Sequence, residues 1–457
     1  MRFRLNKLNR FIVSVFIGLA FLAACTPQSK KNPPFNPPAV IDSTPYVTEH
    51  LVRVPNGATA LRPSFQTVAE NDPKLGGNRR FQGLDFLLAE RADAPLLRLR
   101  PSMSELKLPN DPPSPFDLEN ASPAYYKLRQ LPEGIFVEAV ASPQCGAAVF
   151  RWQFGKSFIY VQPAPGRVAM IRLANPMEME GYVEQDGGER VYYVVRFEWS
   201  AMDGGVFKDG KRQSQKIWQV EGKDVGAFFQ FSTLEGNEFM VKIAASPVSW
   251  ETVRALLDRE MPYWSFAYAR QKAREQWESE LYQIRVWSDD PKLKELFYVC
   301  LSHLLAVQSP VALQQTPIPL WLRLTEAYRS ALRADKRLPV FIAKTAGTPN
   351  RGEQLSALLR QAVETKPFLA DPALFACTLL GVLPNADGYV LAPGAFDRIE
   401  ITPTALGGSQ PLVILSQGAT NAKEIRAVKW NGKKLAGAFL PRQDAEAGGT
   451  LKVQFKK

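Results

Sequence analysis

GAFFQFSTLEGNEFMVKIAASPVSW, residues 226–250, runs directly into ETVRALLDREMPYWSFAYARQKAREQWESELYQIRV, residues 251–286. The first segment alternates apolar and polar residues with period two: Phe229 and Phe231, then Phe239, Val241 and Ile243. With Leu234-Glu235-Gly236-Asn237 as the turn, this pattern predicts an antiparallel hairpin with one buried face. Ser249 reads as an N-cap, with Glu251 in the first turn where its charge meets the helix dipole. Val253, Leu256, Leu257 and Met261 follow at helical spacing, and Phe266, Ala273, Trp277, Leu281 and Ile284 predict a second helix. The chain therefore passes here from a sheet region to a helical one that extends to about residue 384.

Upstream, Gly134–Val140, Ala147–Phe154, Ser157–Val161 and Val168–Leu173 read as strands separated by glycine, proline and asparagine breaks. Tyr182 and Val183 lead through Asp186-Gly187-Gly188 into Val191–Trp199, a second hairpin. Short strands with frequent turns and no intervening helices describe an all-β sandwich over 42–250. Residues 56–120, punctuated by Pro63, Pro73, Pro101, Pro109, Pro112 and Pro113, read as long loops at its edge.

Downstream, Asp289-Asp290-Pro291 opens a third helix. Capping by Asp290, with Pro291 in the first turn, outweighs a reading of the two aspartates as metal ligands. Leu293, Leu296, Phe297, Cys300, Leu301 and Leu304 form its apolar face. Further helices are expected near 319–335, 351–365 and 371–383. Strands return from Tyr389: Ile399–Thr402, Pro411–Leu415, Ile425–Trp430 and Leu451–Phe455, with Asn431-Gly432 as a tight hairpin turn. The fold class is α+β and multidomain: a large antiparallel sandwich (42–250), a reduced helical region (251–384) and a small C-terminal sheet (385–457).

At the N-terminus, Arg2, Arg4, Lys7 and Arg10 precede an apolar run, Phe11 to Ala24, ending Leu22-Ala23-Ala24-Cys25. The run is shorter than the roughly 20 residues of a transmembrane span. Residues 1–24 read as a secretory signal. Small residues directly before Cys25 make it a lipoprotein signal, with the Cys25 thiol as the lipidation site, and 25–41 is a proline-rich tether. Loss of the leader's four cations takes the formal net charge from +11 to +7. That mild excess fits surface association and a lipid-held partner membrane at the bacterial envelope; no basic block with interleaved aromatics supports nucleic-acid binding. The remainder, about 415 residues, exceeds a single core.

Beyond Cys25, the three cysteines Cys145, Cys300 and Cys377 allow at most one bridge and one free thiol. The only histidines are His50 and His303, and His303 lies in an apolar helical run, so multi-histidine zinc sites and serine–histidine triads are disfavoured. A Walker loop, a dinucleotide GxGxxG and a CxxC are absent.

Ala124-Tyr125-Tyr126-Lys127-Leu128 with Gly134–Ala139, and Val241–Ser249 with Glu260, resemble the N-terminal sandwich and sheet-to-helix junction of the glycoside hydrolase family 92 α-mannosidases. Trp277, Leu281 and Ile284 are similar to that family's linker helix, and Phe297-Tyr298 with Leu301-Ser302-His303 to its first barrel helix. Leu380-Gly381-Val382-Leu383-Pro384, Tyr389-Val390-Leu391, Phe396-Asp397, Trp430–Lys433 and Gly448–Leu451 resemble its closing segments. The resemblance covers roughly 120–307 and 373–457. It implies a calcium-dependent inverting hydrolase with its site between sandwich and helical barrel. The chain departs from this in three ways. Only about 70 residues separate Val307 from the closing segment, too few at 1.5 Å per residue for six helix pairs. The family's acidic base segment falls on Thr365, Lys366, Pro367 and Phe368, or, with a gap, on Asn350 and Arg351 before Gln354–Ala357; neither alignment keeps a carboxylate. Its histidine loop falls near Gly83-Leu84-Asp85-Phe86, which lacks histidine.

Inverting hydrolysis needs two carboxyls roughly 6.5–9.5 Å apart. Glu326, Asp335, Glu353, Glu364 and Asp371 each sit among charged neighbours at helical spacing, and nothing in the sequence pairs them. No catalytic or metal residue is assigned. Trp264 and Trp287 are core or junction residues before they are sugar platforms. The leading reading is a non-catalytic envelope lipoprotein, related to these mannosidases, with a carbohydrate-binding or structural role and no cofactor. The alternatives are a working calcium-dependent exo-α-mannosidase with a rebuilt site, and an assembly lipoprotein that uses the sandwich to bind proteins.

Overall fold

The computed structural model describes residues 34–38, 41, 51–88, 94–234, 236–307, 318–334, 372–416 and 425–455. Every strand and helix among them belongs to the compact unit Pro37–Lys457. The leader with Cys25, His50, Asp335, Asn350, Arg351, the 351–365 helix with Glu353 and Glu364, and Thr365, Lys366, Pro367, Phe368 and Asp371 lie outside the described residues.

The chain opens with β1 (Thr59–Asp72), β2 (Gly77–Leu88), β3 (Leu97–Met103), β4 (Phe116–Ser122), β5 (Tyr125–Gln130), β6 (Ile135–Ala141), β7 (Cys145–Arg151) and β8 (Gly155–Pro163). Then come β9 (Ala169–Asn175), β10 (Glu178–Glu184), β11 (Arg190–Phe197), β12 (Asp203–Lys208), β13 (Lys211–Arg212), β14 (Gln219–Gly222), β15 (Val225–Thr233) and β16 (Glu238–Ser246). One sheet has the order β1-β2-β3-β8-β15-β12-β13, the other β14-β9-β10-β11-β16-β7-β6-β5-β4. Leu61, Phe86, Ile159 and Phe229 from the first and Leu128, Val137, Val195 and Phe239 from the second are buried in one shared core. This is the two-layer sandwich that period-two alternation predicts.

The opening stretch is not a hairpin. β15 pairs with β8 and β12, whereas β16 pairs with β11 and β7 in the opposite sheet. Both runs carry a continuous aromatic or branched face, so they meet face to face across the core: the Phe231 and Phe239 rings lie 4.5 Å apart. The chain thus crosses between layers after Leu234, with Gly236 at φ 76° ahead of β16. The hairpin over Gly187 and Gly188 does form, with Tyr182 opposite Tyr192 and Glu184 opposite Arg190.

Residues 56–120 are also corrected, because they hold four strands rather than edge loops. Pro63 is tolerated because β1 is an edge strand. Pro101 lies beyond the part of β3 that pairs with β2, Leu97–Leu99, so its missing N–H breaks no ladder on that side. Pro73 opens a single 3-10 turn, and the loop after β3 carries Pro109, Pro112 and Pro113.

α1 (Trp250–Glu260) starts at Ser249, whose hydroxyl accepts from Thr252 N at 3.2 Å, and buries Val253, Leu256 and Leu257. α2 (Phe266–Leu281) is capped by Ser265 and buries Ala273, Trp277 and Leu281. β17 (Ile284–Trp287) follows, so Ile284 is in a strand, opposite Ile401. It lies three residues after Leu281 and fits helical spacing, but Ile284 and Val286 alternate with half-buried Arg285 and Trp287, which is strand periodicity. α3 (Pro291–Val307) opens at Asp290, whose carboxylate accepts from Lys292 N at 2.9 Å. α4 (Leu320–Ala334) and α5 (Pro372–Leu380) complete the helices described between 250 and 384. None of the described helices is long and apolar enough to cross a membrane.

The remaining strands are β18 (Val382–Pro384), β19 (Gly388–Leu391), β20 (Arg398–Ile401), β21 (Leu412–Leu415), β22 (Ile425–Trp430), β23 (Lys433–Lys434), β24 (Phe439–Pro441) and β25 (Gly449–Phe455). Instead of one small sheet they form two, β17-β20-β21-β25-β22-β23 and β18-β19-β24. Asn431 and Gly432, at φ 46° and 84°, make the expected tight turn between β22 and β23. The architecture is α+β, with a large sandwich, a helical region and small C-terminal sheets.

Candidate functional site

A cleft of about 900 Å³ opens between α2 and the outer face of the nine-stranded sheet. Strand alternation builds its floor. Tyr126 and Leu128 on β5 enter the core, so Tyr125 and Lys127 face outward; Val137 and Ala139 on β6 enter the core, so Glu138 faces outward. Register then pairs charges, because Lys127 lies directly opposite Glu138 and Arg151 directly opposite Glu238. The opposite wall is α2. Its Ala273, Trp277 and Leu281 pack inward, with Trp277 Nε1 donating to Arg53 O at 2.7 Å, while Arg270, Arg274, Glu275 and Glu278 line the cleft.

Glu138 is the centre of the floor and only 6% exposed. Its carboxylate accepts the Tyr125 hydroxyl and pairs with Arg151, and Lys127 Nζ stands 3.9 Å away. Arg151 also reaches Glu238 at 3.4 Å. On the helix, Arg274 holds Glu278 at 2.7 Å, and Lys272 and Gln271 both donate to Glu275 at 2.9 Å. The Arg270 guanidinium lies over the Tyr125 ring at 3.8 Å. Burial pushes the Tyr125 phenol pKa up against the opposing pull of Arg270 and Arg151. Burial, then the Arg151 and Arg270 cations, push the Lys127 ammonium down.

Calcium takes several oxygen ligands and favours carboxylates. Among the described residues no group of three or more acidic, thiol or imidazole side chains converges, and each cleft carboxylate already faces a cation. The described residues therefore do not fit a calcium ion.

The residues singled out from sequence are scattered. Glu326 is exposed on α4 and pairs with Arg329 at 3.2 Å. His303 is half-buried on α3. Asp85, where the family's histidine loop falls, is 1% exposed and held by Arg98 at 2.6 Å. Cys145, Cys300 and Cys377 are buried free thiols, and burial pushes the Cys300 pKa up to about 12. Trp264 is 38% exposed at the sheet-to-helix junction, with the Lys242 ammonium 3.9 Å from its ring centre. Trp287 is half-buried in β17 under Arg398. Glu260 ties α1 to the β6–β7 turn by accepting from Ser142 Oγ at 2.7 Å and Gln144 N at 2.9 Å. Sequence reasoning missed the cleft itself. Its available signal was the placing of Lys127 and Glu138 as charged outward positions in otherwise core-forming strands.

A model of the Glycosyl hydrolase family 92 N-terminal domain matches residues 95–246, and one of the Glycosyl hydrolase family 92 catalytic domain matches 253–321. No curated protein matches the chain. Among solved structures, a family GH92 α-mannosidase of Bacteroides thetaiotaomicron aligns at TM-score 0.63 and 13% identity, covering 89% of this chain and 92% of that one. The same enzyme in complex with mannoimidazole aligns at 0.64 and 13%, covering 90% and 94%. A family GH92 inverting mannosidase of Bacteroides thetaiotaomicron VPI-5482 aligns at 0.65 and 12%, covering 89% and 93%. At these identities the structural likeness is one of fold.

Proposed function

The chain is a shortened member of glycosyl hydrolase family 92, and from that premise we propose that it is a lipid-anchored envelope protein that binds mannose-containing glycans without hydrolysing them. The observation that carries the reading is the pairing of every cleft carboxylate with a cation. Inverting hydrolysis needs a carboxylic acid with raised pKa and a second carboxylate free to deprotonate water. A paired arginine or lysine favours the charged form of the first and occupies the second. It also opposes the positive charge of an oxocarbenium-like transition state. Binding has no such requirement, since hydrogen-bond donors and aromatic faces suffice. The mannoimidazole complex of the relative makes mannose the first sugar to try. Anchoring rests on Cys25 and its leader, and it places the protein at the bacterial envelope.

The test is paired. Purified protein is assayed for mannose release from small α-linked mannosides, with and without calcium, and for mannoside binding by calorimetry. Binding without turnover is expected. Calcium-dependent turnover that disappears when Glu326, Glu353, Glu364 or Asp371 is neutralised overturns the reading in favour of an exo-α-mannosidase.

A further inference from the structure

The cleft carries surplus hydrogen-bond donors. Its acceptors are committed: Glu138 to Tyr125 and Arg151, Glu238 to Arg151, Glu275 to Lys272 and Gln271, Glu278 to Arg274. Three donors are not. Among the described residues Arg270 has no hydrogen-bond or ion-pair partner, only its stack on Tyr125, which leaves the in-plane N–H groups unspent. The Nε–H of Arg151 is buried and lacks an acceptor. Lys127 meets a carboxylate only at 3.9 Å, beyond hydrogen-bonding distance. All three side chains line one cavity, whose volume falls within the roughly 300–1,000 Å³ typical of ligand pockets. Half-buried Phe266 and Tyr282 add aromatic surface to the wall of the same cavity.

We propose that this cleft binds a saccharide bearing an oxyanion, with Arg270 and Lys127 taking the charged group and Phe266 and Tyr282 taking the ring's apolar face. The inference rests on the glycan-binding reading and narrows its ligand. Cations whose N–H groups lack acceptors gain charge-assisted hydrogen bonds from a bound carboxylate or phosphate, and a stacked guanidinium offers a pre-oriented fork to it. Neutral sugars satisfy the same donors with uncharged hydroxyls and gain less per contact.

Calorimetry on the full chain in detergent decides this with glucuronate, mannose 6-phosphate and mannose as probes, and acetate and inorganic phosphate as controls without a ring. At least one acidic sugar is expected to bind about tenfold or more tightly than mannose, the size of one charge-assisted hydrogen bond. Glucuronate against mannose 6-phosphate distinguishes carboxylate from phosphate. Arg270→Gln removes most of that advantage, weakening the acidic sugar more than mannose; Arg270→Lys restores part of it. Arg270 is exposed on α2, so both variants keep the wild-type unfolding temperature. If mannose binds as well as the acidic sugars, the oxyanion proposal fails while the glycan reading stands. If acetate or phosphate binds as tightly as the sugars, or if no sugar binds, the glycan reading fails and takes the proposal with it.

Discussion

Replacing Glu138 by alanine removes the acceptor on which the cleft floor is assembled. The carboxylate is almost fully buried and serves the Tyr125 hydroxyl and the Arg151 guanidinium together. Leaving a buried hydroxyl without an acceptor costs about 1–3 kcal/mol. Stripping a buried cation of its partner costs about 3–5 kcal/mol when both are enclosed. Arg151, however, is 28% exposed and keeps Glu238, so water and the second carboxylate recover most of that loss. The net expectation is about 2–3 kcal/mol, a fall of about 5–10 °C in the unfolding temperature of a sandwich this size. Glu138→Gln keeps a carbonyl oxygen for Arg151 and sets an NH2 group against the Tyr125 hydroxyl, whose oxygen can accept from it, so it should lose less than the alanine variant. It also removes a negative charge from the cleft, so acidic-sugar affinity should hold or rise while stability falls. Scanning calorimetry of wild type and both variants, with glucuronate titrations on each, measures the two effects separately. An alanine variant that unfolds within about 1 °C of wild type would refute the buried-acceptor argument.

Three further outcomes follow from individual contacts. Burial, with Arg196 adding to it, pushes the Lys242 ammonium from 10.5 down to about 8, so the unfolded chain holds a proton through that interval that the folded chain has released. Stability relative to Lys242→Met should therefore be flat below pH 8 and rise between pH 8 and 10.5, as read by urea midpoints across that range. Gly181→Ala would set a methyl inside the contact distance of Met170 O and Tyr193 Oη between β9 and β11 of the nine-stranded sheet, and should cost about 3 kcal/mol or more on denaturant unfolding. Cys25→Ser should move the protein from the membrane fraction to the soluble fraction, because the tether lacks apolar area to hold a bilayer; unchanged fractionation counts against lipidation.

Local chemistry was legible without coordinates wherever a residue's role depends on its near neighbours. Ser249 and Asp290 cap helices because their side chains reach N–H groups two or three residues ahead, and Asn431-Gly432 turns because both residues take a positive φ. Alternation along β15 and β16 likewise marked Phe229, Phe231, Phe239, Val241 and Ile243 as one core-facing set, since successive residues of a strand point to opposite faces. Alternation does not say which strand lies alongside. Phe231 and Phe239 fit a hairpin and an inter-layer arch equally well, and only packing of the two aromatic faces chose the arch. Prolines between 56 and 120 spoke against strands until edge placement and a short ladder removed their cost. Ile284 fitted both periods until β20 supplied a partner. The cleft is the furthest from the sequence. Tyr125, Glu138, Arg151, Glu238 and Arg270 come from four strands or their ends and one helix, spread over 146 positions of sequence between the first and the last, and no local pattern joins them. Their meeting depends on cross-strand register and on α2 docking through Trp277, both of which are long-range contacts that exist only once the chain is folded.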